Sequence, residues 1–358
     1  MNSSTTSKVL LTFLVVTATT TACGTGADEP THEIASATDE GDEDLAGANE
    51  ASGPPKPVDP AGQAVDLSSG TTTPASPDEG APTAPPVTPP ANNLDEDGVR
   101  KLLPSADGTS FRLGSNDPNN LAGFLIENKV AAREQKLGSL RYWNTTAFNL
   151  DYSGGGTGKT TRLHIIGGEQ KFTWRSQTGF LSSPTDLKNQ ELTAYVRVHD
   201  IFDVGRAMVT LKIRGGKHWA SQGDLASCTM MTLSASANTM FGKELTHPNY
   251  DYVKLTPQSA AALKDNQWVG MKMVSYAKTS DKTKVVNQLY LDTNPFDADG
   301  KPLNGWKLLS EYVDAEGKST GRYSKLADWG GEQTTVRTDG VSSVDFALVS
   351  AREIVAPD

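Results

Sequence analysis

Two cysteines in 358 residues, Cys23 and Cys228, leave no disulfide framework to build. The five histidines (His32, His164, His199, His218 and His247) have no zinc spacing, and there is no His-Glu-x-x-His helix. The apolar run over residues 9–16 is too short to cross a bilayer, which takes roughly 20 residues. Between Gly24 and Asp97 there is no aromatic side chain, and sixteen Asp or Glu face one basic residue, Lys56. Twelve of the twenty prolines lie in the same stretch. Such a composition buries too little apolar surface to offset the entropy of ordering, so residues 23–100 are expected to form a disordered acidic, Pro-rich linker.

Without that linker the charge balance changes sign. The whole chain carries −10, whereas residues 98–358 hold 31 basic against 27 acidic side chains. This excess is far too small for a nucleic-acid footprint, which excludes that class of partner, but it suits an acidic glycan.

The start of the chain points outside the cell. Lys8 precedes the apolar run, and Thr20-Thr21-Ala22-Cys23-Gly24 follows it. An apolar segment of that length is a secretory h-region. Small residues before a cysteine resemble the bacterial lipoprotein box. The resemblance implies a signal peptide over residues 1–22, lipidation of Cys23, and export to the bacterial cell envelope, at the outer membrane or cell surface. A lipid on Cys23 is then the membrane contact, and Cys228 is expected to be a small hydrophobe in a strand.

Residues 101–358 read as one all-β domain. Leu192–His199 alternates strictly, with Leu192, Ala194, Val196 and Val198 on one side and Thr193, Tyr195, Arg197 and His199 on the other. Met208–Arg214 and Trp268–Tyr276 repeat the alternation. Further strands are expected at 162–166, 171–174, 226–233, 285–291, 307–312, 334–338 and 344–354, punctuated by glycine-rich turns. Thr256-Pro257 reads as the start of a short helix, and Leu121–Lys136 as a second.

Ile213–Trp219, Phe241–Tyr250, Trp268–Tyr276 and the closing Val344–Ile354 resemble the concanavalin A-like jelly rolls of secreted microbial proteins. Alginate- and glucuronan-lyase-type polysaccharide lyases share that architecture. The resemblance implies a two-sheet jelly-roll sandwich. The alginate-lyase Arg-x-Glu-x-Arg pattern is replaced here by Ile213-Arg214-Gly215, and the Glu-x-Asp-x-x-Glu strand of jelly-roll glycosidases is missing.

If the aliphatic faces point inward, one outer trough collects Tyr195, Arg197, His199, Lys212, Arg214, Lys272, Tyr276, Gln288 and Tyr290, with His218 and Trp219 at its rim. Arginine offers a planar fork to a uronate carboxylate, and tyrosine a ring face to a sugar. The leading expectation is a monomeric envelope lipoprotein that binds an extracellular, acidic polysaccharide. The alternatives are a uronate-polymer lyase and a ligand-free structural protein. A lyase would use Arg214 or Arg197 to neutralise the carboxylate, with Tyr276, His199 or His218 as base or acid. No cofactor is required, although Asp292, Asn294, Asp297 and Asp299 could hold calcium. Ser153–Thr160 comes close to a phosphate-binding loop but lacks its first glycine.

Overall fold

Period-two patterning produces strands almost everywhere it was expected. The computed structural model describes residues 93–151, 157–166, 173–175, 179–181, 187–216, 227–246, 249–259, 261–331 and 333–358. These residues form two antiparallel eight-stranded sheets. Sheet I runs β16 (Lys307–Ala315), β15 (Lys284–Asp292), β14 (Trp268–Ala277), β9 (Gln190–Ile201), β18 (Val341–Ile354), β4 (Leu140–Thr146) and β3 (Arg133–Leu137), and β1 (Ser105–Arg112) also pairs with β18. Sheet II runs β13 (Asn249–Leu255), β12 (Thr239–Thr246), β11 (Cys228–Ser234), β10 (Met208–Gly215), β17 (Gln333–Asp339), β6 (Thr157–Ile166) and β2 (Phe124–Ile126), and β5 (Phe148–Asp151) also pairs with β6. A small hairpin joins β7 (Thr173–Arg175) to β8 (Gly179–Leu181). This is the concanavalin A-like jelly-roll sandwich that the alternation and the resemblance anticipated.

The core lies between the sheets. Leu192, Ala194, Val196 and Val198 of β9 meet Met271 and Met273 of β14 and Val344 and Phe346 of β18 on the inner side of sheet I. Val209, Leu211 and Ile213 of β10, Met231 and Leu233 of β11, and Val336 of β17 answer them from sheet II. The alternation therefore sorts oily side chains inward as expected.

Neither expected helix forms. Around Thr256 the backbone donors go to neighbouring strands: Gln258 N–H donates to Leu309 O at 2.7 Å, and Leu263 N–H to Ser234 O at 3.1 Å. Cross-strand partners replace the i→i−4 ladder that the Thr-Pro cap would have started. Residues 121–136 become β2, one 3-10 turn (Glu127–Lys129) and β3, with Asn128 and Lys129 at positive φ. A left-handed pair cannot continue a right-handed helix.

Candidate binding face on sheet II

The expected trough does not exist as one surface. Tyr195, Arg197, His199, Lys272, Tyr276, Gln288 and Tyr290 do share the outer face of sheet I, since β9, β14 and β15 are adjacent and in register. Most of that face is covered by the chain itself. Residues 93–104 and the 292–306 loop lay Val99, Phe296 and Trp306 on it, and these pack with Leu140, Tyr142, Tyr195 and Leu348 into a second apolar cluster. Tyr195 is fully buried, its ring 4.9 Å from Phe296 and 5.4 Å from Trp306. Lys272 is buried too, and its Nζ donates to Glu191 Oε1 at 2.8 Å and Thr193 Oγ1 at 2.6 Å. Tyr276 and Tyr290 belong to a third cluster with Val274, Val286, Leu102 and Leu103. Gln288 is tied to Glu311 and Tyr290.

Arg197 and His199 remain part-exposed at the uncovered end of sheet I. Both hydrogen-bond Asp345 Oδ2, at 2.7 and 2.8 Å, and the Arg197 guanidinium lies between the Tyr142 and Trp268 rings. Tyr276 sits one step beyond the Gln190 end of β9, about ten residues or roughly 33 Å along the strand from His199. His199 and Tyr276 therefore cannot serve one scissile bond as base and acid.

Lys212 and Arg214 belong to the other sheet, and only Lys212 faces outward. The β10–β17 register shifts between Lys212 and Gly215, and Arg214 has φ +55°, so its side chain turns into the sandwich. A neutralising role for Arg214 at an outer groove is corrected by that bulge. Cys23, His218 and Trp219 lie outside the described residues.

The acidic loop also reads differently in three dimensions. Asp292 Oδ1 accepts from Asn294 N–H and its Oδ2 from Gly305 N–H, while Asp297 Oδ1 accepts from Asp299 and Lys301 N–H. These carboxylates cap turns, and among the described residues no group of His, Cys, Asp or Glu could hold a metal ion. Gly317-Lys-Ser319-Thr-Gly321 has the spacing of a nucleophile elbow, but it lies in the loop after β16, and Ser319 Oγ donates to Gly321 O within its own turn.

A different set of residues meets on the outer face of sheet II. Register places His164, Thr335, Lys212, Met230, Gly242 and Tyr252 in one row across β6, β17, β10, β11, β12 and β13. The adjacent row is Arg162, Arg337, Thr210, Thr232, Met240 and Lys254. On the β6 side the groups are buried and interlocked. Arg162 Nη1 donates to Glu127 Oε1 at 2.6 Å, and His164 faces Glu127 Oε2 at 3.1 Å and Thr335 Oγ1 at 2.9 Å. Burial alone would raise the Glu127 carboxyl, but the Arg162 charge and the His164 contact outweigh it and hold it well below the usual range.

Toward β13 the face opens. Lys212, Tyr250 and Tyr252 are each part-exposed. Lys212 Nζ donates to Tyr250 OH at 2.9 Å, and the Tyr250 and Tyr252 rings stack with centroids 5.8 Å apart. Gly242 makes room for them, because a Cβ there would lie 2.6 Å from Met230 Cγ and 3.1 Å from Tyr252 Cε1. Burial pushes the Tyr252 phenol well above its ordinary range, so it keeps its proton. The expected trough included neither Tyr250 nor Tyr252. The signal was present in Asn249-Tyr-Asp-Tyr-Val-Lys-Leu255, whose alternation places both tyrosines and Lys254 on one side.

No protein-family model and no curated protein sequence matches the chain. Several solved structures are similar in fold. Endo-β-1,4-glucuronan lyase from the fungus Trichoderma reesei is 12% identical over 68% of this chain and 94% of its own, with a TM-score of 0.41. The alginate lyase from Aplysia kurodai is 9% identical over 69% of this chain and 98% of its own, with a TM-score of 0.39. The seed lectin of Lotus tetragonolobus is 8% identical over 70% and 100%, with a TM-score of 0.37. At such identities the likeness concerns the fold alone.

Proposed function

We propose that the domain binds an acidic extracellular polysaccharide on the outer face of sheet II. The carrying observation is the part-exposed group Lys212, Tyr250 and Tyr252, a cation beside two stacked phenol rings, at the open end of a polar face. The rings offer apolar surface and hydroxyls to a sugar, and the ammonium offers donors to a uronate carboxylate. An exported chain tethered through Cys23 would carry this face to its ligand on the acidic stalk.

The test is calorimetric titration of the protein with polyuronates and with neutral glucans. Micromolar to millimolar binding of the polyuronate, weakened at least tenfold by Lys212→Met, is the expected result. A folded protein that binds none of these polymers ends the reading.

The Lys212–Tyr250 contact favours a second reading, β-elimination. Tyr250 would take the C5 proton, with Lys212 stabilising the phenolate that delivers its electrons. The C4–O4 bond would break as the C4–C5 double bond forms, and Tyr250 would pass the proton it has taken on to O4. Under this reading unsaturated uronate accumulates and absorbs in the near ultraviolet. Tyr250→Phe lowers the turnover rate by about 10²–10⁴ with binding retained. Absence of that chromophore with every polyuronate bound leaves a binding module.

A further inference from the structure

Arg214 lies entirely inside the sandwich, and among the described residues no carboxylate pairs with it directly; Asp328 and Asp314 act on it only from a distance. Its Nε donates to Ser275 Oγ of β14 at 3.2 Å and its Nη1 to Trp329 O at 2.6 Å, so it bridges sheet II to sheet I. Its Nη2 is buried with no hydrogen-bond partner. Asp314, which could have answered the charge, is instead paired to Lys243 Nζ at 2.8 Å. A buried guanidinium without a directly paired counter-ion is costly for a fold to carry. The left-handed φ of +55° that turns it inward adds backbone strain. Burial accordingly pushes its pKa down to about 10.

Beside its two acceptors stand groups with donors left over. Gln190 stands directly across from Ser275 in the β9–β14 ladder, and its Nε2 is buried without a partner while its Oε1 accepts from Thr334. Cross-strand neighbours of that kind have Cβ atoms about 4.5–5.5 Å apart, so both side chains project into the same space. Ser227 and Thr229, the latter opposite Ile213 in the β10–β11 ladder, have buried hydroxyls that likewise lack partners. Two N–H donors with nothing to donate to, one of them charged, and rotatable hydroxyls beside them define a receptor for a small anion.

We propose that Arg214, Gln190 and Ser275 bind a small monovalent anion of halide size between the two sheets. The site is separate from the outer face of sheet II, yet it acts on the same strand. The ion would neutralise the arginine and hold the β10 bulge, which fixes Lys212 two residues earlier.

The experiment uses the full chain. Thermal unfolding is followed in sodium chloride, sodium bromide and sodium gluconate at equal ionic strength. Chloride and bromide should raise Tm saturably by roughly 2–4 °C or more over gluconate, whose anion is too large to enter. Arg214→Gln should remove that increment. Should Arg214→Gln fail to fold, Gln190→Leu serves instead and should weaken the increment. Crystals grown in bromide should show an anomalous peak within hydrogen-bond distance of Arg214 Nη2 and Gln190 Nε2. Equal Tm values in the three salts, or a peak there without anomalous signal, would overturn the proposal in favour of a buried water.

Discussion

Lys272→Met separates an open sheet I trough from the covered face that the structure displays. In a trough, Lys272 would meet ligand, and its loss would cost affinity while leaving the fold alone. In the structure it is buried against Glu191 and Thr193, with its Nζ 4.7 Å from the centre of the Trp306 ring. Removing one member of a buried ion pair costs about 3–5 kcal/mol, because the other charge stays behind. Glu191 still keeps Arg352 Nη2 at 2.6 Å and Leu102 N–H at 2.9 Å, which places the loss near the lower end, about 3 kcal/mol. For a domain of this size that lowers Tm by roughly 6–12 °C. Lys212→Met is the matched control. Its side chain is part-exposed, donates to Tyr250 and stands 4.0 Å from the buried Glu244 carboxylate, so stability falls by about 1–3 kcal/mol. Polyuronate affinity should drop tenfold or more, since a charge-assisted bond is worth about 1.5–3 kcal/mol. Circular dichroism melts and titration calorimetry below the transition read both quantities. Lost affinity with an unchanged melt in Lys272→Met would refute the covered face.

Acid should destabilise the fold through two carboxylates held in ion pairs, Glu191 and Glu127. Burial acts to raise Glu191, but Lys272 and Arg352 overcome it, and Glu127 is held down in the same way by Arg162 and His164. A depressed folded pKa contributes stability above the unfolded value, near 4.3, that is lost as pH falls through the folded one. Urea unfolding between pH 7 and pH 3 should therefore show a plateau and then a decline below about pH 4.3, and stability that held level to pH 3 would contradict it. The 292–306 loop should be indifferent to calcium. A chelator is expected to leave Tm unchanged, whereas Asp292→Ala lowers it by orphaning the Asn294 and Gly305 N–H groups, at about 1–3 kcal/mol.

The fold was legible because alternation is a local signal. Leu192–His199, Met208–Arg214 and Trp268–Tyr276 all lie within observed strands, since each buries one face against the facing sheet. What lies over the second face of a strand is a tertiary fact. Tyr195 and Arg197 have the same parity, but Tyr195 is sealed under Phe296 and Trp306 while Arg197 stays part-exposed. Residues 93–104 and 292–306 supply the covering, and neither carries a period that announces it. The Thr256-Pro257 cap failed for a related reason: a good local start does not decide where the next backbone donors go.

The site residues were harder to place because parity survives only until a bulge. Lys212 and Arg214 are two residues apart and should share a face. One residue in the left-handed region between Lys212 and Gly215 sends the first to solvent and the second into the sandwich. Glycine is the usual residue in that conformation, and an arginine there leaves no sequence mark that a pattern of twos can detect. Sheet order adds the second uncertainty, since Lys212 and Lys272 lie on strands of identical patterning in different sheets. A trough assembled from parity alone thus mixed two opposite surfaces. Tyr250 and Tyr252 lie two strands beyond the 226–233 segment, next to a lysine already suspected for the right chemistry on the wrong face.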